Sequence, residues 1–220
     1  MPLLVNNRGF LFPQYMYYIG AMRIIAITGG IASGKTLVFN QFMNLGAYGI
    51  NFDVLSREVV IPCSKAWWKI VNHFGKDILK TDLEIDRKKL RDIVFNDSEK
   101  RKILEGIIHP EVRKQCQDRL AAISKIAQNA LVVVDVPLLI EVGMQNEFDT
   151  VIVVYLSEET QIRRVMAREG VAEEEAMKLI GLQMPLGEKL KFAGIVINNG
   201  GTIAETEEQV RDVFFSLSGS

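Results

Sequence analysis

The sequence has little of the chemistry that builds metal centres and disulfide frameworks. Of its 220 residues only two are cysteines and two are histidines, and all four stand far apart: Cys63, Cys116, His73 and His109. A zinc–cysteine site, a disulfide framework and a locally spaced Ser-His-Asp triad are therefore disfavoured. We interpret both cysteines as reduced thiols of a cytoplasmic protein, because stable disulfides are rare in that compartment.

Net charge and long apolar runs are lacking as well. The 26 Lys and Arg against 27 Asp and Glu leave a formal charge of -1, so the chain has no global attraction to nucleic acid or to an anionic membrane. Its longest apolar runs are far shorter than the roughly 20 residues of a membrane helix. We expect no nucleic-acid partner and no membrane span, and the oligomeric state stays open. Any anionic ligand must be held by local geometry.

The first 21 residues differ from the rest. They are rich in aromatic side chains, carry one charge at Arg8, and are interrupted by Gly9, Pro13 and Gly20. A secretory signal has a basic start and an uninterrupted apolar stretch, so this segment fits one poorly. We predict that residues 1–21 are a dispensable extension and that one domain covers residues 22–220.

Short, continuous apolar runs alternate with segments of helical period from Met22 onward. Such runs are typical of strands that are buried on both faces of a parallel sheet. The pattern predicts an α/β fold with a doubly wound, parallel, five-stranded sheet. The strands are expected at Ile24–Ile27, Tyr48–Ile50, Leu131–Val134, Val151–Tyr155 and Ile195–Ile197.

Two stretches without strong strand patterns are predicted to be helical. The first, about 53–129, is a helical insertion in which Pro110 suits the first turn of a long helix. After Pro110, apolar residues recur on one helical face, as core packing requires: Val112, Cys116, Leu120 and Ile123. The second stretch, about 158–184, is charged and is predicted to be a helical lid.

A glycine-rich motif directly follows the first predicted strand. Residues 29–36 read Gly-Gly-Ile-Ala-Ser-Gly-Lys-Thr, a complete G-x-x-x-x-G-K-[ST] pattern. Such a loop points its backbone N–H groups at an anion, and the following helix adds positive potential. The motif predicts a nucleoside triphosphate site in which Lys35 reaches the β and γ phosphates and Thr36 binds Mg²⁺.

The phosphate loop alone does not identify the reaction. GTP-binding switch proteins need N-K-x-D and D-x-x-G motifs, and the sequence has neither. A small-molecule kinase needs a carboxylate near the acceptor hydroxyl, and Asp53 follows the second strand, where ligands of open α/β sheets gather. From position alone, Asp53 is either this base or the N-cap of a helix.

Three polar residues of the predicted lid lie on one helical face. Gln161, Arg164 and Arg168 follow the i, i+3, i+7 spacing, so the arginines could close over a triphosphate. A solvated charged face is the alternative. Asp135 ends the third strand either as a magnesium-holding carboxylate or as the start of a local turn.

Taken together, these motifs resemble the dephospho-coenzyme A kinase family from about Met22 to the C-terminal helix. Beyond the phosphate loop the resemblance rests on FDVLSREV at 52–59, HFG at 73–75, IDRKKL at 85–90, HP at 109–110, VPLLIE at 136–141, QIRRVMARE at 161–169, QMPLGEK at 183–189 and IVINNGG at 195–201. The PLLIE and QMPLGEK motifs are the specific ones, since many families share the phosphate loop.

The resemblance implies an enzyme that uses ATP and Mg²⁺ to phosphorylate dephospho-coenzyme A, and it implies a role for each matched residue. Asp53 would be the base, and Arg164 and Arg168 would belong to the lid. The nucleotide would lie against Gly29, Gly30, Ile31, Ala32, Ser33, Gly34, Lys35, Thr36, Leu37 and, near adenine, Asn199. The acceptor would lie against Asp53, Arg57, His109, Pro137, Leu138 and Glu141.

The chain departs from the family pattern at three positions. Asn51 replaces the first acid of a D-A-D motif, Leu37 replaces a hydroxyl residue, and Gly194 replaces an acid before the last strand. Two alternatives therefore stay open: another metabolite kinase of the same fold, and a nucleotide-binding regulatory protein with little or no transfer.

Overall fold

The computed structural model describes residues 22–95 and 97–218 of the chain. The predicted N-terminal extension, residues 1–21, lies outside the described residues. The strands are β1 (Arg23–Gly29), β2 (Tyr48–Asn51), β3 (Leu131–Asp135), β4 (Thr150–Tyr155) and β5 (Ile195–Asn198). The helices are α1 (Lys35–Asn44), α2 (Phe52–Glu58), α3 (Lys65–Phe74), α4 (Arg87–Phe95), α5 (Ser98–Ile126), α6 (Glu158–Glu169), α7 (Glu173–Ile180), α8 (Leu186–Lys189) and α9 (Ile203–Ser218).

The five strands form one parallel sheet in the order β2-β3-β1-β4-β5. The predicted fold class and all five predicted strands are thereby confirmed. The chain passes from β1 to β2 and β3 on one side, and then to β4 and β5 on the other. The carboxyl ends of the parallel strands therefore share one edge, and β1 lies at the point where the direction of winding reverses.

The three central strands, β1, β3 and β4, are buried because they carry apolar side chains on both faces, whereas β2 and β5 at the two edges are largely exposed. In β1 every residue after Arg23 is buried, as the continuous apolar run predicts. One face packs against α1 and α9 in a single apolar cluster. The buried members of that cluster are Ile25, Ile27, Val38, Phe39, Phe42, Leu131, Val133, Ile152, Val154, Ile197 and Val210. This core fixes the strand ends that carry the polar residues described below.

Residues Asn51–Arg119 form a second compact unit, separate from the unit that holds the sheet. Its core gathers buried side chains of α3 and α4 with those of the segment between them: Trp67, Ile70, Val71, Ile78, Ile85 and Leu90. The Trp67 indole nitrogen donates a 2.8 Å hydrogen bond to the Leu83 carbonyl, so the ring is both packed and satisfied. The unit is helical, with one isolated bridge between Leu79 and Ile85.

Helix α5 corrects one expectation. Pro110 does not begin a helix but lies inside α5, which starts at Ser98. An internal proline removes one backbone hydrogen bond and costs about 3 kcal/mol. Apolar side chains pack both before and after it, partly buried at Ile107 and Ile108 and buried at Val112. We attribute the continuity of the helix to this packing, because tertiary burial commonly overrides local propensity.

The apolar face predicted after Pro110 is present. Val112, Cys116 and Leu120 are all buried, and Ile123 is half-buried. None of the helices in the described part of the chain is long and apolar enough to cross a membrane.

Candidate active site

The segment between β1 and α1 forms a tight loop. Its turns use left-handed backbone at Ala32, with φ 56°, and at Gly34, with φ 86°. The Ser33 N–H donates to the Gly30 carbonyl at 3.2 Å, and the Leu37 N–H donates to the Gly34 carbonyl at 2.9 Å. Helix α1 therefore starts directly from the loop, and its N-terminal N–H groups and dipole favour an anion there.

Lys35 and Asp135 form an ion pair at this edge of the sheet. Asp135 is the last residue of β3 and is only 1% exposed. The Lys35 ammonium group donates to its Oδ1 atom. The carboxylate therefore faces the loop's lysine. Thr36 lies in the first turn of α1 and is exposed.

Asn199, directly after β5, is buried against the phosphate loop. Its amide nitrogen donates to the Ser33 carbonyl at 2.7 Å, and its Oδ1 atom accepts from the Thr206 hydroxyl at 2.9 Å. A Cβ atom on Gly34 would overlap that amide nitrogen. Glycine is therefore required at this position for two reasons, its positive φ and the close approach of Asn199.

The polar face of α6 reaches the loop through Gln161 and reaches the residue after β5 through Arg164. Gln161 Nε2 donates to the Ile31 carbonyl at 2.9 Å, and an Arg164 guanidinium nitrogen donates to the Asn199 carbonyl at 2.9 Å. Arg168 is exposed and pairs with Glu169 at 2.8 Å. The shared face is thus divided: Gln161 and Arg164 bind protein backbone, while Arg168 extends into solvent.

The segment after β3 meets the segment after α7. The Glu141 carboxylate accepts from the Met184 N–H at 3.1 Å and pairs with the Lys189 ammonium group at 2.8 Å. Partial burial raises the pKa of Glu141, but the hydrogen bonds and the charge of Lys189 outweigh it and leave the pKa below its ordinary value of 4.5. Leu138 is exposed, and the Pro137 carbonyl accepts from the Thr28 hydroxyl at 3.1 Å.

The second unit carries the remaining three predicted residues. Asp53 is exposed in the first turn of α2, whose N-cap is Asn51: the Asn51 side chain accepts from the Val54 N–H at 3.0 Å. The cap interpretation of Asp53 is therefore wrong, because the residue two positions earlier fills that role. Arg57 lies one turn after Asp53 and is exposed, as is His109 in α5.

A groove of about 470 Å³ also lies in this unit. Among the residues that line it are two lysines, each of which has a carboxylate partner: Lys65 pairs with Glu111 at 2.7 Å, and Lys114 pairs with Asp118 at 2.6 Å. The lining also includes a third carboxylate, Glu58, and the apolar side chains of Val59, Ile61 and Ala66, so its acidic residues outnumber its lysines by one.

Sequence reasoning missed three residues that hold the site together. Gln183 Oε1 accepts from the Ile31 N–H at 3.0 Å, Thr206 bonds Asn199, and Lys189 is completely buried beside Glu141. Gln183 and Lys189 stand in the QMPLGEK motif, which was the available signal for them. No sequence signal pointed to Thr206, since a threonine in a charged C-terminal helix is ordinarily a surface residue.

A parallel sheet, a complete phosphate loop after its first strand and a carboxylate facing the loop's lysine define a P-loop nucleotide-binding protein. A family model, described as CoaE, dephospho-CoA kinase, matches residues 23–205. The chain belongs to the dephospho-CoA kinase family, as the resemblance predicted.

Comparisons with individual relatives support this family membership. The chain is 46% identical to a dephospho-CoA kinase of Geobacillus kaustophilus, over 84% of this chain and 92% of the relative. It is 44% identical to one of Geobacter sulfurreducens, over 88% of this chain and 98% of the relative. Among solved structures, it is similar to TT1252 from Thermus thermophilus, with a TM-score of 0.75 and 30% identity over 88% of this chain and 96% of that one.

Proposed function

We propose that the chain transfers the γ-phosphoryl group of ATP to the ribose 3′-hydroxyl of dephospho-coenzyme A, giving coenzyme A and ADP. The observation that carries this proposal is the family match over residues 23–205 together with an intact phosphate loop in that match. The reaction breaks the bond between the γ phosphorus and the β–γ bridging oxygen. It forms a bond from the same phosphorus to the 3′ oxygen, and the hydroxyl proton moves to a base.

The nucleotide side of the reaction is assigned to the loop. Residues Gly29–Leu37 would bind the phosphates through backbone N–H groups, and Lys35 would neutralise charge on the β and γ phosphates. The helix dipole of α1 adds to this field. Asn199 would keep the loop in shape rather than read adenine with its amide, since both polar atoms of that amide already have protein partners.

Magnesium fits the oxygen atoms at this edge. Mg²⁺ prefers a few carboxylate or hydroxyl oxygens together with substrate phosphates, and the Thr36 hydroxyl and the Asp135 carboxylate are of that type. When bound, the ion would supply neutralisation of the phosphate charge. We assign Thr36 as its protein ligand, with Asp135 facing the same loop through Lys35.

The acceptor side is assigned to Asp53 and its neighbours. The Asp53 carboxylate would accept the proton of the 3′-hydroxyl, and its exposure leaves it open to a substrate. We assign Arg57, His109, Pro137, Leu138 and Glu141 to acceptor binding. Glu141 would act with part of its hydrogen-bonding capacity already committed to Lys189 and Met184.

The lid arginines receive different roles. Arg164 holds the Asn199 carbonyl, so we assign it to the support of the loop. Arg168 is exposed, and its partner Glu169 is an exposed neighbour that a phosphate could displace. We therefore assign Arg168 to stabilisation of the transferring phosphoryl group after the lid closes. Cys63 and Cys116 form no disulfide in the described residues, which suits a reducing compartment, and we place the reaction in the cytoplasm.

Acceptor-dependent formation of ADP tests the proposal. Purified protein with ATP and Mg²⁺ is expected to release ADP rapidly only when dephospho-coenzyme A is present. The Lys35→Ala variant should lose most of this turnover and bind ATP more weakly. Tight ATP binding with no acceptor-dependent turnover would instead support a nucleotide-binding regulatory protein. Faster turnover with an unrelated small metabolite would support another kinase of the same fold.

A further inference from the structure

Lys189 is a completely buried lysine in the unit that holds the sheet, with 0% of its side chain exposed. It ends the short helix α8. Burial of an ammonium group is costly unless the charge is paired and its hydrogen bonds are made. The partners of Lys189 are the Glu141 carboxylate at 2.8 Å and the Pro137 carbonyl at 3.4 Å. Both belong to the segment that follows β3.

The atoms that Lys189 contacts are themselves bound to other parts of the site. Glu141 Oε1 also accepts from the Met184 N–H at 3.1 Å, and the Pro137 carbonyl also accepts from the Thr28 hydroxyl at 3.1 Å. Thr28 is fully buried near the end of β1, one residue before the phosphate loop begins. The ammonium group, at the end of the 183–189 segment, therefore joins that segment to the segment at 137–141, and Thr28 anchors the 137–141 segment to β1.

The second segment reaches the phosphate loop directly. Gln183, next to Met184, accepts a 3.0 Å hydrogen bond from the Ile31 N–H. A series of hydrogen bonds and short covalent steps thus runs from Ile31 through Gln183, Met184 and Glu141 to Lys189.

We propose that Lys189 is a positioning residue for phosphoryl transfer: acting through Glu141 and Pro137, it holds the 137–141 segment and Gln183 in register with the phosphate loop. This inference rests on the proposed function, because its effect is on the turnover of that reaction. Phosphoryl transfer depends on placement, and a displacement of about 1 Å can reduce a rate by about 100-fold. Loss of Lys189 should therefore lower kcat.

The first test compares Lys189→Met with Lys191→Met. Lys191 is an exposed lysine two residues further on, and its partner Glu188 is exposed as well, so this control should keep the wild-type kcat. Lys189→Met is expected to lower kcat by roughly 10- to 100-fold, with a smaller change in the KM for ATP. A kcat within twofold of wild type would overturn the proposal.

Lys189→Met also leaves Glu141 without its ammonium partner, and this loss lowers stability for a reason unrelated to position. The double variant Lys189→Met, Glu141→Gln separates the two effects, because it removes both charges at similar volume and keeps an acceptor oxygen for the Met184 N–H. We expect it to recover most of the lost unfolding stability while its kcat stays below that of Glu141→Gln alone, the reference required because Glu141 is assigned to acceptor binding. Recovery of both stability and kcat would overturn the proposal, as would a double variant that fails to fold, since Lys189 would then act through the fold as a whole.

Hydrogen exchange gives a readout that needs no acceptor. The N–H groups of Met184 and Ile31 should exchange faster in the double variant than in wild-type protein, while amides of β1 keep their protection. Unchanged exchange at both positions would overturn the role of Lys189. Wild-type protein without turnover on dephospho-coenzyme A would contradict the proposed function instead, and the exchange experiment would still decide the positioning role.

Discussion

The side-chain amide of Asn199 donates a 2.7 Å hydrogen bond to the backbone carbonyl of Ser33, which joins the end of β5 to the phosphate loop. The Thr206 hydroxyl donates to Oδ1 of the same amide, and Ser33, Asn199 and Thr206 are all buried. Arg164, in α6, donates to the Asn199 carbonyl. The shape of the loop therefore depends on residues that lie more than 120 positions further along the chain.

The close approach at Gly34 gives the first prediction. In Gly34→Ala the new methyl group would overlap the Asn199 amide, in addition to a cost of about 1–2 kcal/mol for left-handed backbone. We expect ATP affinity to fall at least tenfold in a calorimetric titration. The matched control is Gly46→Ala, where φ is 107° but nothing lies within 4 Å of the added carbon. Equal ATP affinities in the two variants would contradict this account of the loop.

Substitution of Asn51 should lower stability, whereas substitution of Asp53 should lower turnover. Asn51→Ala removes the N-cap of α2 and is expected to cost about 1 kcal/mol of unfolding free energy. Asp53→Asn removes a proton acceptor at nearly constant shape and should lower kcat by roughly 100-fold or more, with stability and ATP affinity nearly unchanged. Urea unfolding and steady-state kinetics on both variants check this. Near wild-type kcat in Asp53→Asn would remove the residue from the mechanism.

Alanine substitutions of the three arginines of α6 should have different effects on turnover and stability. Arg168→Ala should lower kcat at unchanged stability, because the polar partner of Arg168 among the described residues is its exposed neighbour Glu169. Arg164→Ala should lower both the melting temperature and kcat, because it releases the Asn199 carbonyl. Arg163→Ala is the control: its contact is an exposed 3.1 Å bond to Thr160, and neither quantity should change. Wild-type turnover in Arg168→Ala would show that Arg168 belongs to a solvated charged face and has no role in the reaction.

The lowered pKa of Glu141 predicts how acid acts on the fold. Because the folded pKa lies below the ordinary value of 4.5, the stabilisation is fully present above that value and is lost as pH falls through the folded pKa. Glu141→Gln should therefore destabilise the protein at about pH 7 and make a smaller difference at about pH 3. Urea unfolding at both pH values measures this. A difference that does not depend on pH would rule out the charge of Glu141 as its cause.

Much of the fold could be predicted from the sequence because its signals are local. Continuous apolar runs mark strands buried on both faces, and β1, β3 and β4 lie within two residues of their predicted bounds. The phosphate loop is equally local, since eight consecutive residues carry the pattern. Pro110 was misread because local propensity favoured a helix start, whereas packing on both sides keeps α5 continuous.

The supporting contacts of the site could not be predicted, because they join residues distant in sequence. The spacing of Gln161, Arg164 and Arg168 shows that they share a helical face, but not that Arg164 ends on the Asn199 carbonyl. Likewise the burial of Lys189 depends on Glu141, which lies 48 residues earlier. Such pairings follow from the order of the strands and not from any window of sequence.

The most direct test of the account is the chemical identity of the product. Protein incubated with ATP, Mg²⁺ and dephospho-coenzyme A should give coenzyme A, with the new phosphate on the ribose 3′ oxygen by phosphorus NMR and mass spectrometry. Adenosine, which lacks the pantetheine and diphosphate parts, should react more slowly in kcat as well as in affinity, and coenzyme A should not react. Phosphorylation at another position, or equal or faster transfer to AMP or shikimate, would contradict the account.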